Sequence, residues 1–212
     1  MHLTGNKPPW TLASKSKYLA RDAPRAASRA GITRFAAPPD FLSRARTQSA
    51  LRALLFIKAH FPRETFLSAL RFLFYRFWTP PNADVVAEDS LRGLLAEATR
   101  DAAGEGAAAA GGGGGKDRLF SRDEVDGIMD GRAQMKEVLA EETGRAVEAG
   151  AFGCPWLLVT DSKGKVEPFF GSDRFNHIYR HLGIPFQDIA ILAPASGSET
   201  ASGAAAERSP KL

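Results

Sequence analysis

Residues 150–174, GAFGCPWLLVTDSKGKVEPFFGSDR, decide the fold, because they place two short apolar runs on either side of a turn. The first run is Trp156–Val159 and the second is Val166–Phe170. Between them, Asp161–Gly164 supplies turn chemistry, and its glycine can take the positive φ that a tight turn needs. The segment therefore predicts a β-hairpin.

Both ends of this hairpin carry residues suited to holding a ligand. Cys154-Pro155 comes directly before the first strand, and a proline at such an entry is where the rare cis X-Pro bond is usually kept. Gly171-Ser172-Asp173 follows the second strand in the form of a helix N-cap, where free backbone N–H groups hold a carboxylate well. We expect a peptide to lie between the two.

Composition excludes several classes of protein. The 212 residues are 44% hydrophobic, which is enough for a real core. The net charge is +4 without a long basic run, which argues against nucleic-acid binding. No apolar run reaches the length of a membrane span, and no secretory signal opens the chain. Of the four histidines, only His177 and His181 have a spacing, i and i+4 on one helix, that would suit metal ligands, and without a third ligand a metal site is not expected.

Cys154 is the single cysteine, which excludes an internal disulfide and a CxxC dithiol pair. A disulfide-forming function is therefore not expected. Two interpretations of the thiol remain. It is either a small apolar residue packed behind its loop, which we favour, or a redox thiol beside a bound ligand thiol.

The pattern from Asp40 to about Thr99 is helical, because apolar residues recur at spacings of three and four. Pro62 separates two packed helices, and Asp89-Ser90 is expected to cap a third. Toward the N-terminus, a short helix is predicted around Lys17–Arg21.

Helix is expected to resume after the low-complexity segment that contains AAAAGGGGG. Ser121–Glu124 forms an S-x-x-E capping box, and Gly127 and Gly131 are candidate breaks in the helix that follows. A run from Ala133 to Ala149 then predicts one inward apolar face, made of Met135, Leu139, Ala146 and Val147.

These patterns divide the chain into four parts. They are a short N-terminal piece (1–39), a helical domain (40–148) with a low-complexity linker (101–116), a ββα unit (149–192) and a tail expected to be disordered (193–212).

Three separated motifs occur in order around the helical block: GNKPPW at residues 5–10, GAFGCP at 150–155 and FFGSDR at 169–174. From about Gly5 to about Phe186 the chain resembles the kappa class of glutathione transferases, of a fungal type, within the DsbA-like thioredoxin superfamily. The resemblance implies an α/β fold, in which a thioredoxin-like (DsbA-like) domain carries an inserted all-helical domain. The first strand-helix-strand of that fold has no counterpart here, so residues 1–39 are expected to be an N-terminal remnant of the thioredoxin-like domain in a truncated chain.

The resemblance also implies a glutathione site. Asn6 would hydrogen-bond glutathione, and the backbone of Cys154, before the cis Pro155, would pair with its cysteinyl part. Ser172 and Asp173 would bind the γ-glutamyl end, since a hydroxyl suits the α-carboxylate and a carboxylate suits the α-ammonium. Kappa enzymes activate the thiol with a serine early in the first helix, and no residue before Asn6 takes that role. No catalytic residue is therefore assigned.

The function implied is a glutathione transferase that transfers the thiol of glutathione to small electrophiles or reduces a peroxide, as a homodimer and without a metal. Two alternatives remain: a non-catalytic glutathione-binding or dimerising remnant, and an enzyme like 2-hydroxychromene-2-carboxylate isomerase. The ending Pro210-Lys211-Leu212 favours the peroxisome, with the mitochondrion or cytoplasm as alternatives.

Overall fold

A computed structural model describes residues 4–100 and 118–187, which fall into two compact units divided between Gly153 and Cys154. The predicted linker at 101–116, the end of the predicted ββα unit at 188–192 and the tail with its Pro-Lys-Leu ending lie outside the described residues. Each unit is treated by itself. Together the described residues are mostly helical, with a small two-stranded sheet.

In its described part, the first unit contains seven α-helices and two short 3-10 turns. The helices are α1 (Ala13–Arg29), α2 (Phe41–Arg44), α3 (Gln48–His60), α4 (Arg63–Trp78), α5 (Glu88–Glu97), α6 (Arg122–Gly131) and α7 (Met135–Glu148), and the 3-10 turns are Pro9–Thr11 and Arg132–Gln134. Along the described ranges, no helix is both long and apolar enough to cross a membrane.

The core of the first unit lies among α3, α4, α5 and α6. The largest fully buried side chains come from α3, α5 and α6; they are Ile57, Leu91, Leu95 and Ile128. Pro62 is the N-cap of α4 and is separated from the end of α3 only by Phe61, so the predicted pair of helices around it is confirmed. A proline fits there because the residues at a helix start need no intrahelical N–H donor.

The capping box at the start of α6 is also confirmed. The Glu124 N–H donates to Ser121 Oγ at 3.3 Å, and the Ser121 N–H donates to Glu124 Oε2 at 2.7 Å. Gly127, the other candidate break, does not break the helix. α6 continues through it, and a Cβ atom added there would meet nothing within 4 Å. The break comes at Gly131, where the 3-10 turn follows.

Two predicted helix starts are wrong. The N-terminal helix is not a short one around Lys17–Arg21 but the 17-residue α1, which buries only Ala27, so its length could not be read from an apolar stripe. α5 begins at Glu88, so Asp89-Ser90 lies inside it. Asp84 sets that start, since its Oδ1 accepts the N–H groups of Val86 and Ala87 at 2.8 and 3.1 Å and turns the chain earlier.

The predicted inward face of α7 is only half-buried, and no residue of α7 is fully buried. Among the described helices of the first unit, α7 packs mainly against α3. The apolar period was correct, but it indicates which face turns inward and not how deeply that face is covered.

Arg132 links several elements of the first unit where α6 gives way to the 3-10 turn. Its guanidinium donates to the Met129 carbonyl at 2.7 Å and to Ser49 Oγ on α3 at 2.6 Å, and lies 3.2 Å from the Glu88 carboxylate on α5. The close approach of α3 at this point leaves no room for a side chain at Gly131, whose Cβ would lie 2.1 Å from the Phe56 ring.

The second unit contains an antiparallel hairpin and one short helix among its described residues. β1 (Trp156–Thr160) pairs with β2 (Val166–Phe170), with Trp156 opposite Phe170 and Thr160 opposite Val166, and α8 (Phe175–His181) follows. The predicted hairpin is confirmed. In the described ranges each strand pairs only with the other.

Replacing Gly131 by alanine should destabilise the first unit, because the new methyl group would collide with Phe56. Overpacking of this kind typically costs about 1–3 kcal/mol, so the melting temperature should fall by several degrees. Gly127→Ala on the same helix is the matched control. It meets nothing within 4 Å and should raise the melting temperature slightly, because alanine is the better helix former. Equal melting temperatures for the two variants in thermal denaturation would contradict this packing.

Candidate functional site

The Cys154-Pro155 peptide bond is cis, as the sequence predicted. The Cys154 side chain is exposed, so the favoured interpretation of a thiol packed behind the loop is wrong. The next residue but one, Trp156, is already in β1, and Cys154 itself stands at the open end of the hairpin. Neither its N–H nor its C=O has a hydrogen-bond partner within the described residues.

Gly171 closes this end of the hairpin. Its N–H donates to the Pro155 carbonyl at 3.1 Å, one step beyond the last strand pair, Trp156 and Phe170. Proline has no N–H, so the carbonyl is the only backbone hydrogen-bonding group that Pro155 can offer. The closure therefore brings Cys154-Pro155 and Ser172-Asp173 to one end of the hairpin.

Ser172 and Asp173 do not form the predicted helix N-cap. α8 begins at Phe175, its N-cap is Arg174, and no side chain caps it. Gly171 has a φ of +102°, which turns the chain sharply after β2, so that more residues pass before helical geometry begins. At seven residues α8 is also too short for a strong anion site at its start. The helix-start part of the predicted ligand site is therefore absent.

Asp173 and Arg174 instead form an exposed ion pair after the turn. Asp173 Oδ1 folds back over Gly171, where a Cβ atom would meet it at 2.6 Å. The Ser172 hydroxyl has no partner within the described residues. The turn thus presents a hydroxyl, a carboxylate and a guanidinium on three consecutive residues.

His181 holds α8 against one face of the hairpin. Its Nε2 lies 3.2 Å from the Val159 carbonyl oxygen, its Nδ1 lies 3.7 Å from the Glu167 carboxylate, and its ring packs on Phe169. The side chain is 7% exposed. In the sequence, His181 stands out only by its spacing of four from His177, which would suit a pair of metal ligands. No cluster of three or more ligating side chains occurs in the described ranges, so a metal site gains no support from them.

Charged groups at the opposite end of the hairpin stabilise its turn. The hydrogen bond from the Lys165 backbone N–H, at 2.8 Å, and then that from Lys163 lower the pKa of the Asp161 carboxyl. The Lys165 ammonium, 2.5 Å from Glu167, lowers the pKa of that carboxyl, and the pKa of Lys165 rises in return. These groups hold the hairpin in register and lie away from the Cys154 end.

Asn6 lies in the first unit, unlike the other predicted site residues. It is exposed, and its side-chain Nδ2 donates to the Phe152 carbonyl at 2.7 Å. The family resemblance assigns Asn6 to glutathione and does not predict this bond. No short-range pattern could have revealed it, because the two residues are 146 positions apart.

No family model matches the chain, but individual relatives do. The chain is 30% identical over 185 residues to human glutathione S-transferase kappa 1, an alignment that covers 85% of the chain and 71% of the human protein. The chain belongs to the glutathione S-transferase kappa family. Glutathione S-transferase kappa 1 of Caenorhabditis elegans is 26% identical over 181 residues, covering 84% of the chain and 70% of that protein.

A shorter and stronger match is to glutathione S-transferase kappa 2 of C. elegans, with 41% identity over 61 residues. These residues are 28% of the chain and 27% of the worm protein, so the chain aligns with well under two thirds of this relative. The kappa family predicted from the three motifs is confirmed at this distant level. The fungal-type origin and the truncation remain predictions, as do the individual ligand contacts.

Replacing Gly171 by alanine should distort the Ser172-Asp173 turn at the candidate ligand-binding end of the hairpin. Alanine would have to adopt the positive φ of this position, which strains an L residue, and its methyl group would displace the Asp173 carboxylate. Gly164→Ala is the matched control, since it carries the same kind of strain, at φ +81°, but meets nothing within 4 Å. In calorimetric titration with reduced glutathione, we expect Gly171→Ala to lose affinity by about tenfold and Gly164→Ala to keep it, although both melt earlier. Equal affinities would refute the link between the turn and the site.

Proposed function

We propose that this chain binds reduced glutathione at the Cys154 end of the hairpin. One observation carries the proposal: the Gly171 N–H closes on the Pro155 carbonyl, so that the residue before the cis proline and the Ser172-Asp173 turn share one hairpin end. Membership of the kappa family supplies the ligand class, since the named relatives are glutathione S-transferases.

The backbone of Cys154 suits the cysteinyl part of glutathione. Its N–H and C=O are free of partners in the described residues and lie two residues before the start of β1. An extended peptide can pair with such a segment in antiparallel fashion through two main-chain hydrogen bonds. The Cys154 thiol needs no part in this, because only main-chain atoms bind.

The turn after β2 suits the γ-glutamyl end, which carries one ammonium and one carboxylate. Asp173 is placed to accept from the ammonium, while the Ser172 hydroxyl can donate to the carboxylate. The adjacent Arg174 guanidinium, paired with Asp173, adds a positive charge that favours the same carboxylate. This arrangement replaces the helix start that was first expected to hold the anion.

Glutathione bound in this way would serve a transferase. In the family reaction the sulfur of glutathione forms a bond to an electrophilic carbon, the leaving group departs with its electron pair, and the thiol proton passes to solvent. We propose this activity for the whole protein, as a homodimer with a thioredoxin-like domain and an inserted helical domain. Peroxide reduction, isomerisation and a peroxisomal location remain predictions of the sequence.

Binding without transfer is the second candidate. The described residues offer the glutathione-holding groups argued above, and no group among them is assigned to activating the ligand thiol. The two candidates differ in one measurable way, because both predict binding of glutathione and only the first predicts turnover of an aryl halide or hydroperoxide.

Asp173→Asn tests the proposal directly, since it removes the charge expected to bind the ammonium and keeps the shape of the side chain. A charged hydrogen bond contributes about 1.5–3 kcal/mol, so glutathione affinity should fall by at least about tenfold in isothermal titration calorimetry. Asp130→Asn, an exposed change of the same kind on α6, should leave affinity unchanged. If the parent chain does not bind glutathione, or if both variants bind as it does, the proposal fails.

A further inference from the structure

We infer that Asn6 is a positioning residue, whose side-chain amide holds the backbone that leads into the Cys154-Pro155 bond. The hydrogen bond in question joins Asn6 Nδ2 to the Phe152 carbonyl oxygen at 2.7 Å. Phe152 precedes Cys154 by two residues, so an amide fixed on its carbonyl restricts the entry to the cis peptide. The ligand part of this inference rests on the proposed function, whereas the hydrogen bond itself does not.

The loop that carries Asn6 is stiff enough to act as a brace. Pro8 and Pro9 follow closely, and proline fixes φ near −65°. The Pro8 carbonyl accepts the Thr11 N–H at 3.0 Å, and this backbone bond closes the 3-10 turn without the Thr11 hydroxyl, which donates to the same carbonyl at 2.7 Å. A side chain presented from such a loop loses less conformational freedom on forming a bond than one from a mobile terminus.

The segment that receives the bond is fixed at both ends by backbone hydrogen bonds. At its start, the Gly150 and Ala151 N–H groups donate to the Val147 and Ala146 carbonyls, both at 2.9 Å, at the end of α7. At its other end, the Pro155 carbonyl is held by Gly171. Phe152 lies between these anchors, so the bond from Asn6 restrains the segment at a third point.

An amide is the side chain this task needs. Nδ2 donates to the Phe152 carbonyl, while Oδ1 carries no charge and has no partner among the described residues. An aspartate in this position would set a carboxylate against a carbonyl oxygen and lose the donor, although it would keep an oxygen able to accept from a ligand. Asn6→Asp therefore separates a brace from a residue whose oxygen binds glutathione directly.

The test uses the full chain with Asn6→Asp, Asn6→Ala and, as matched control, Thr11→Val. The control removes the Thr11 hydroxyl bond of the same loop and leaves the Asn6 amide in place. Amide hydrogen exchange at Gly150 and Ala151, whose N–H groups are hydrogen-bonded, is measured without ligand, glutathione affinity by calorimetry, and stability by thermal melting. Loss of one hydrogen bond predicts roughly fivefold faster exchange in both Asn6 variants, with glutathione Kd raised by a similar factor. Thr11→Val should change neither the exchange rate nor the glutathione Kd, and all variants should have the same melting temperature.

Each other outcome overturns the inference. Unchanged exchange with weakened affinity would make Asn6 a direct ligand, and faster exchange with unchanged affinity would make the bond irrelevant to the site. Affinity retained in Asn6→Asp but lost in Asn6→Ala would assign the role to the side-chain oxygen. If the parent chain fails to bind glutathione, the proposed function falls, while the exchange result still decides whether Asn6 restrains residues 150–156.

Discussion

The candidate site depends on one hydrogen bond, from the Gly171 N–H to the Pro155 carbonyl. It extends the antiparallel ladder by one step past Trp156 and Phe170 and uses the only backbone group that a proline can contribute. Because Gly171 then turns at positive φ, the chain leaves β2 toward Ser172 and Asp173 instead of continuing the strand. Two motifs separated along the sequence thereby become one candidate ligand-binding end.

The same turn explains why local motifs indicated the right residues but the wrong geometry. Gly171-Ser172-Asp173 has the composition of a helix N-cap, and propensity alone places the helix there. The conformation of Gly171 delays the helix to Phe175, so the polar groups stand on a turn and Arg174 pairs with Asp173. An ion pair now supplies both signs of charge where backbone N–H groups were expected.

Features set by neighbouring residues could be predicted, and features set by distant packing could not. The capping box at Ser121, the helix start at Pro62, the hairpin turn and the cis Pro155 all follow from chemistry within a few residues. The half-buried α7, the contact of Gly131 with Phe56 and the bond from Asn6 to Phe152 depend on which elements meet in space. A second cis bond, Pro80-Pro81, and the buried Asn82 at positive φ after it were also missed, although a Pro-Pro-Asn sequence is a turn signal.

The central claim is that the backbone of Cys154 and the Ser172-Asp173 turn bind one ligand together. Amide chemical shifts followed by heteronuclear NMR during a titration with reduced glutathione test it most directly. We expect the amide signals of Cys154, Ser172 and Asp173 to move with one common saturation curve, while those of the opposite turn at Asp161–Gly164 stay in place. Saturating shifts elsewhere in the chain, with these three signals unmoved, would contradict it.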